Sequence, residues 1–256
     1  MTAEQWTRTV RHQLGLGRLL PLGGPREGAW ISEEAARAVL RAAVQDLRDV
    51  RLGTVRIGLV HPEDPHEPVV PPPPSALPPG PLRLAAEFEA TPGQPLPVTA
   101  ERLRTALAGA AAGSLGLELG EVDLRVTALL DEDAEPAPVR QPEPPRPAEA
   151  GPGDENLAAV AALAVPGAGP LTGVLGRPVH IGDRETGDGS LPRRHVRVEL
   201  AVGADRRALD VARDVRAAVT VALPDRPTVA VLVTAVTSQG LSGGGRPSRE
   251  PARPQR

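Results

Sequence analysis

The sequence predicts an α+β protein made of two tandem small domains, each running helix, strand, strand, helix, strand around a three-stranded sheet. Three observations carry that prediction. Residues 195–236 read as strand, helix, strand, and residues 82–130 repeat the order. Both stretches close on nearly the same string, RVTALL from Arg125 and LVTAV from Leu232, as a tandem duplication would. Proline-rich stretches then mark the breaks. The divisions are an N-terminal arm (1–26), a first domain (27–131) with an insertion (61–81), a disordered linker (132–153), a second domain (154–236) and a disordered tail (237–256).

Taken in order, residues 5–20 form a short helix in this reading, with Trp6, Val10 and Leu14 four apart and arginines around them. Docking onto the first domain is the plain role of such a stripe; contact with a membrane surface through Trp6 is the alternative. Ser32 is placed to cap the next helix, because its side-chain oxygen can accept from the free amides of the first turn. Ala36, Val39, Leu40, Ala43 and Leu47 recur at helical spacing behind it. Val55, Ile57 and Leu59 alternate with polar or small neighbours, predicting a half-buried strand. Residues 61–81 hold so many prolines that they can be neither helix nor central strand, only an extended excursion.

Leu82, Leu84, Ala86 and Phe88 alternate with Arg83, Glu87 and Glu89 as the second strand. Thr99 is expected to cap the following helix, which Gly113 and Gly116 end. Val122, Leu124 and Val126 then alternate with Asp123, Arg125 and Thr127. In the second half, residues 157–165 are a helix, 178–181 a short strand and 182–194 a polar hairpin loop. Asp205 caps a helix that turns Leu209, Ala212, Val215 and Val219 inward. Residues 228–236 are apolar on both faces, as in a central strand or one covered by a neighbour. Asp123 and Arg125 keep one face wet in the first copy, whereas Ala230 and Leu232 make that face apolar in the second. The interdomain or partner contact is therefore expected at Ala230 and Leu232.

Composition excludes several classes of function. The aromatic side chains are Trp6, Trp30 and Phe88 alone, so the cores must pack Leu, Val, Ile and Ala. There is no cysteine, hence no disulfide, thiolate metal site or thiol nucleophile. A net charge of -3 gives no general pull toward nucleic acid or anionic lipid. The opening residues lack an apolar signal core, and no apolar run approaches the length of a membrane span, so a soluble chain is expected.

Chemistry-bearing clusters are sparse. His61, Glu63, Asp64, His66 and Glu67 could offer metal ligands, but a proline-rich segment does not preorganise them, and a solvated linker explains them better. GDRETGDGS, from Gly182, lacks the ligand order of a calcium loop. GLGRLLPLGG, from Gly15, lacks the preceding strand and the Lys-Ser/Thr of a phosphate cradle. No cofactor, metal or catalytic residue is assigned. The candidate interaction residues are Leu232, Ala230 and Trp6. Arg246, Arg249, Arg253 and Arg256 in the tail make nucleic-acid binding the alternative function, although stacking aromatics are missing.

GAWISEEAARAVLRAAVQDLRDV, from Gly28, resembles the start of the alkaline-shock-protein-like family of bacterial envelope-stress proteins. LAAVAALAVPGAGPLTGVLG, from Leu157, is similar to the short actinobacterial form of the same domain. The whole chain also resembles actinobacterial proteins carrying a nucleopolyhedrovirus p-ten label. The resemblance implies a non-enzymatic cytoplasmic scaffold that acts in envelope stress through protein contacts. Its implied partner is a membrane-anchored protein or a homologous subunit, which would hold it at the inner face of the membrane.

Overall fold

The computed structural model describes residues 17–131, 143, 145–184 and 193–237. Over these residues the chain is mixed α+β, with four helices and two sheets. The first half runs β1 (Leu19–Pro21), β2 (Ala29–Ser32), α1 (Glu33–Ala43), β3 (Val50–Leu59), β4 (Leu82–Ala90), α2 (Leu96–Ala110) with a π-type turn (Ala111–Leu115), and β5 (Leu119–Leu129). The second runs α3 (Asp154–Leu163), β6 (Ala168–Leu171), β7 (Val179–Arg184), β8 (Arg193–Gly203), α4 (Ala208–Ala222) and β9 (Thr228–Thr237).

One sheet has three strands in the order β3-β4-β5, with β3 antiparallel and β5 parallel to β4. The other has six strands rather than the three expected. Its path is β1-β2-β9-β8-β6, and β7 also pairs with β8. The expected division at residue 26 is therefore not where the sheets divide the chain. β1 and β2, from the first half, extend the sheet of the second half: Ala29, Trp30 and Ile31 lie parallel to Val231, Leu232 and Val233. Strands of three and four residues, buried along their length, show no period by which a sequence pattern could find them. Leu19, Leu20 and Leu22 are buried, so this part of the expected arm is a strand in a sheet and not the end of a helix.

A single core holds the inner faces of both sheets and the buried sides of the four helices. Val55, Ile57, Leu84 and Phe88 enter it from the smaller sheet; Val198, Leu200, Val231 and Val233 enter it from the larger. Capping follows expectation at α1, where the Ser32 hydroxyl accepts from the Ala35 amide at 3.2 Å. At α2 it does not. The helix begins a turn before Thr99, behind Pro95, because the prolines at 95 and 97 have no amide to satisfy in a first turn. Thr99 is buried inside the helix instead. Arg207, not Asp205, holds the N-cap position of α4.

The α2 segment runs past Gly113 through the π-type turn and ends at Gly116, whose φ of 91° lies in the left-handed region. Gly116 is also a junction between halves. Its carbonyl accepts from the Gly23 amide at 2.9 Å, and a Cβ there would stand 2.5 Å from Leu209 Cβ on α4.

Ser32 supplies a second link. While accepting from Ala35, its hydroxyl donates to the Thr234 carbonyl at 3.2 Å. Thr234 is the extra residue of a bulge in β9, between the pairs Leu200↔Val233 and Ala201↔Ala235. Ser32→Ala removes a helix cap and a strand contact together, and is expected to lower stability by about 2 kcal/mol, the upper end for a lost cap. Urea denaturation monitored by far-ultraviolet circular dichroism would measure the loss.

Candidate interaction surfaces

Trp6 lies outside the described residues. Ala230 and Leu232 lie together on the outer face of β9, where both are fully buried. They pack with Leu19, Trp30 and Val70 into a second, smaller core. That face is occupied by the chain itself, from two sources in the first half: the β1-β2 segment and the proline-rich excursion. The excursion is extended, as its prolines demand, but it is not a solvated linker throughout. Residues 61–67 are exposed, whereas Val70, Pro73 and Pro79 are buried.

The excursion works as a strap. The Val69 amide donates to Pro25 O at 3.0 Å, the Leu77 amide to Leu19 O at 2.8 Å, and the Trp30 indole to Leu77 O at 3.3 Å. Proline removes donors that would otherwise need partners, so few hydrogen bonds suffice to lay the segment on an apolar face. Gly28, with φ of 57°, allows the close approach: a Cβ there would stand 2.8 Å from Val70. His61, Glu63, Asp64, His66 and Glu67 stay on the exposed end of the strap, and no metal-type cluster forms among the described residues.

The same outer face continues onto β8 and carries a buried charge. Glu199 is fully buried beside Arg197, with guanidinium-to-carboxylate distances of 3.1 Å, and accepts from the Leu175 amide at 2.9 Å. Burial pushes its carboxyl above the usual carboxylate range, against the opposing pull of the loop amides and Arg197. Nearby His180 on β7 is held below the ordinary imidazole value, first by burial and then by the charges of Arg197 and Arg177. Below Glu199, the Thr172 and Thr234 hydroxyls meet at 2.8 Å, so the polar groups of this face are tied to one another and to the β6-β7 connection. The expected linker also ends here. Within it, Ala148 donates to Leu171 O at 2.9 Å, which lays that part of it beside β6.

A second polar feature was not read from the sequence. Arg37 and Arg41 on α1, with Gly53, Thr54, Val55 and Arg56 on β3, line an open groove of about 390 Å³. Two of its guanidiniums are already engaged: Arg37 with Glu33 at 2.6 Å, and Arg41 with the Leu52 and Gly53 carbonyls at 3.2 and 2.7 Å. Their four-residue spacing was the available signal, though a solvated helix face has the same spacing.

The two halves are also joined by charge. Arg213 of α4 grips Glu27 with two bonds of 2.7 Å, and its guanidinium holds the Glu27 carboxyl below the usual range. Arg216 donates to the backbone carbonyls of Arg26 and Glu27. Glu27, Arg213 and Arg216 thus hold the two segments in place. No protein family matches the chain, and no curated protein matches it either.

Two outcomes are expected. Leu232→Asp would place an unpaired charge in the small core and destabilise the fold by about 4 kcal/mol or more. Limited proteolysis should then cut within residues 61–81 earlier than in the wild type. For Glu199, a folded pKa raised above 4.5 means that the folded state binds the proton more tightly than the unfolded chain. Its contribution is therefore most favourable at or below pH 4.5 and declines as pH rises through the folded pKa. Glu199→Gln, which does not titrate, should gain stability relative to wild type over that rise, measurable by urea denaturation between pH 4.5 and neutrality.

Proposed function

We propose that the chain is a non-enzymatic protein-interaction scaffold of the bacterial alkaline-shock type, acting in the cytoplasm at the inner face of the membrane through a membrane-anchored protein. The observation that carries this reading is a pairing order found in each half. β3 lies antiparallel and β5 parallel to β4, with α2 between the parallel pair; β7 lies antiparallel and β9 parallel to β8, with α4 between them. That order supports two related units of the kind the resemblance implies. The scaffold role draws further support from the use of Glu27, Glu33 and Glu199 as anchors between segments, Glu199 through the Leu175 amide.

The partner surface proposed is α3. Leu157, Val160 and Leu163 are exposed at three-residue spacing along it, Val160 to 60%. One exposed aliphatic side chain is ordinary, whereas three along one side of a helix form a patch suited to an apolar partner surface. Cross-linking of the tagged full chain in cells should capture a membrane-anchored protein, and Val160→Asp should reduce that capture about tenfold if the residue is an interface anchor. Capture that Val160→Asp leaves unchanged would move the contact off α3. Recovery of the chain with no membrane protein under envelope stress would overturn the reading.

A further inference from the structure

An edge strand presents a row of unpaired backbone N–H and C=O groups, and folded proteins usually cover or cap it. Three strands here have an edge closed in that way. β9 is closed on its outer side by β2. β1 is met by the strap, through Leu77. β3 is capped by guanidiniums, with Arg18 donating to Ile57 O and Arg41 to Leu52 O and Gly53 O. β5 differs. It is eleven residues long and among the described residues pairs with β4 alone, and its latter half is exposed, with Leu129 62% accessible. What reaches its backbone from another element's side chain, among the described residues, is one long bond from Arg104 Nε to Val122 O at 3.5 Å. Among the described residues, the strand in the same position of the other sheet, β9, has that edge filled by β2, and the edge of β5 is met by no strand.

We propose that β5 pairs antiparallel with β5 of a second copy, about a two-fold axis at Leu124, joining the two three-stranded sheets into one. The strand's own sequence selects this register. Leu124 is the midpoint of Leu119–Leu129, so an axis there overlaps the whole strand. It sets Asp123 opposite Arg125 of the second copy, twice by symmetry. It also sets Val122 opposite Val126 and Leu124 opposite itself on the other face. Moving the axis to Asp123 or Arg125 would place that charge opposite its own copy, and moving it to Val122 would bring Glu121 against Asp123. Both charges are available for the pairing. Asp123 is 65% and Arg125 77% exposed, and their present contacts, to Arg83 at 3.6 Å and Glu87 at 3.8 Å, are long. Cross-strand pairs of opposite charge stabilise, and like charges directly opposite destabilise. Backbone bonds supply the affinity and the alternating charges supply the register. This self-association goes beyond the scaffold reading and stands without it.

The test uses the full chain. Light scattering across a concentration series should show the mass rising from 26.6 kDa toward twice that value. Asp123→Arg and Arg125→Asp should each weaken the dimer about tenfold or more, because each sets like charges against one another at two places. Mixed in equal amounts, the two variants should recover the dimer, since every cross-strand pair at these positions is then opposite in charge. Hydrogen exchange on the unaltered chain gives a second measurement, with the amides of Leu124 and Val126 slowing as concentration rises. A monomer at every concentration would overturn the proposal. So would a dimer that neither substitution weakens, or a mixture of the two variants that stays monomeric.

Discussion

The pairing of β2 with β9 is the constraint on which the rest of the structure depends. It joins Ala29, Trp30 and Ile31 to Val231, Leu232 and Val233, across nearly the length of the described chain. Closing so long a loop costs conformational entropy, though the cost grows only slowly with loop length, so a few strong local contacts can hold it. Those contacts are specific. The Ser32 hydroxyl bonds α1 and the β9 bulge at once, Arg213 grips Glu27 just before β2, and Gly116 gives its carbonyl to Gly23 while leaving room for Leu209. With both halves contributing to one core, unfolding either half would expose apolar surface on the other. The halves are therefore expected to unfold together rather than as separate units.

Once β2 lies beside β9, the outer face of the larger sheet becomes apolar across Trp30, Ala230 and Leu232, and needs a cover. The strap provides one at small entropic cost, because a proline-rich chain has few conformations to lose on ordering. Further along the same face, Glu199 is out of water and has to be satisfied by Arg197 and the β6-β7 connection. The larger sheet is thus covered on both faces at β9 and at Glu199, and stays open on its outer face at His180 of β7. The smaller sheet keeps a wet outer face, where Arg83, Glu87, Glu89 and Glu121 pair across strands. That asymmetry leaves surface chemistry to the smaller sheet, to β5 at its edge and to α3.

Much of the local structure was legible in the sequence. The α1 cap at Ser32, the alternation of β4, the inward stripe of α4 and the two-sided burial of β9 all follow from period and capping chemistry within a dozen residues. The starts of α2 and α4 differ from the expected ones for a local reason. Thr99 and Asp205 are good capping residues in isolation, but prolines 95 and 97 and the position of Arg207 set the first turns. The apolar character of Ala230 and Leu232 was also legible, and so was its consequence that something must lie on them.

What lies on them was not. By itself the sequence determined the α+β class, the strands and helices of ordinary length, and which faces are apolar, because each of these rests on interactions between residues close in the chain. Only the tertiary structure decided that β1 and β2 belong to the far sheet, that the proline-rich segment covers β9, and that Glu199 is buried rather than wet. Each of these is a contact between distant segments, chosen by the fit of one surface to another, and period and composition carry no record of which surface a given face will meet.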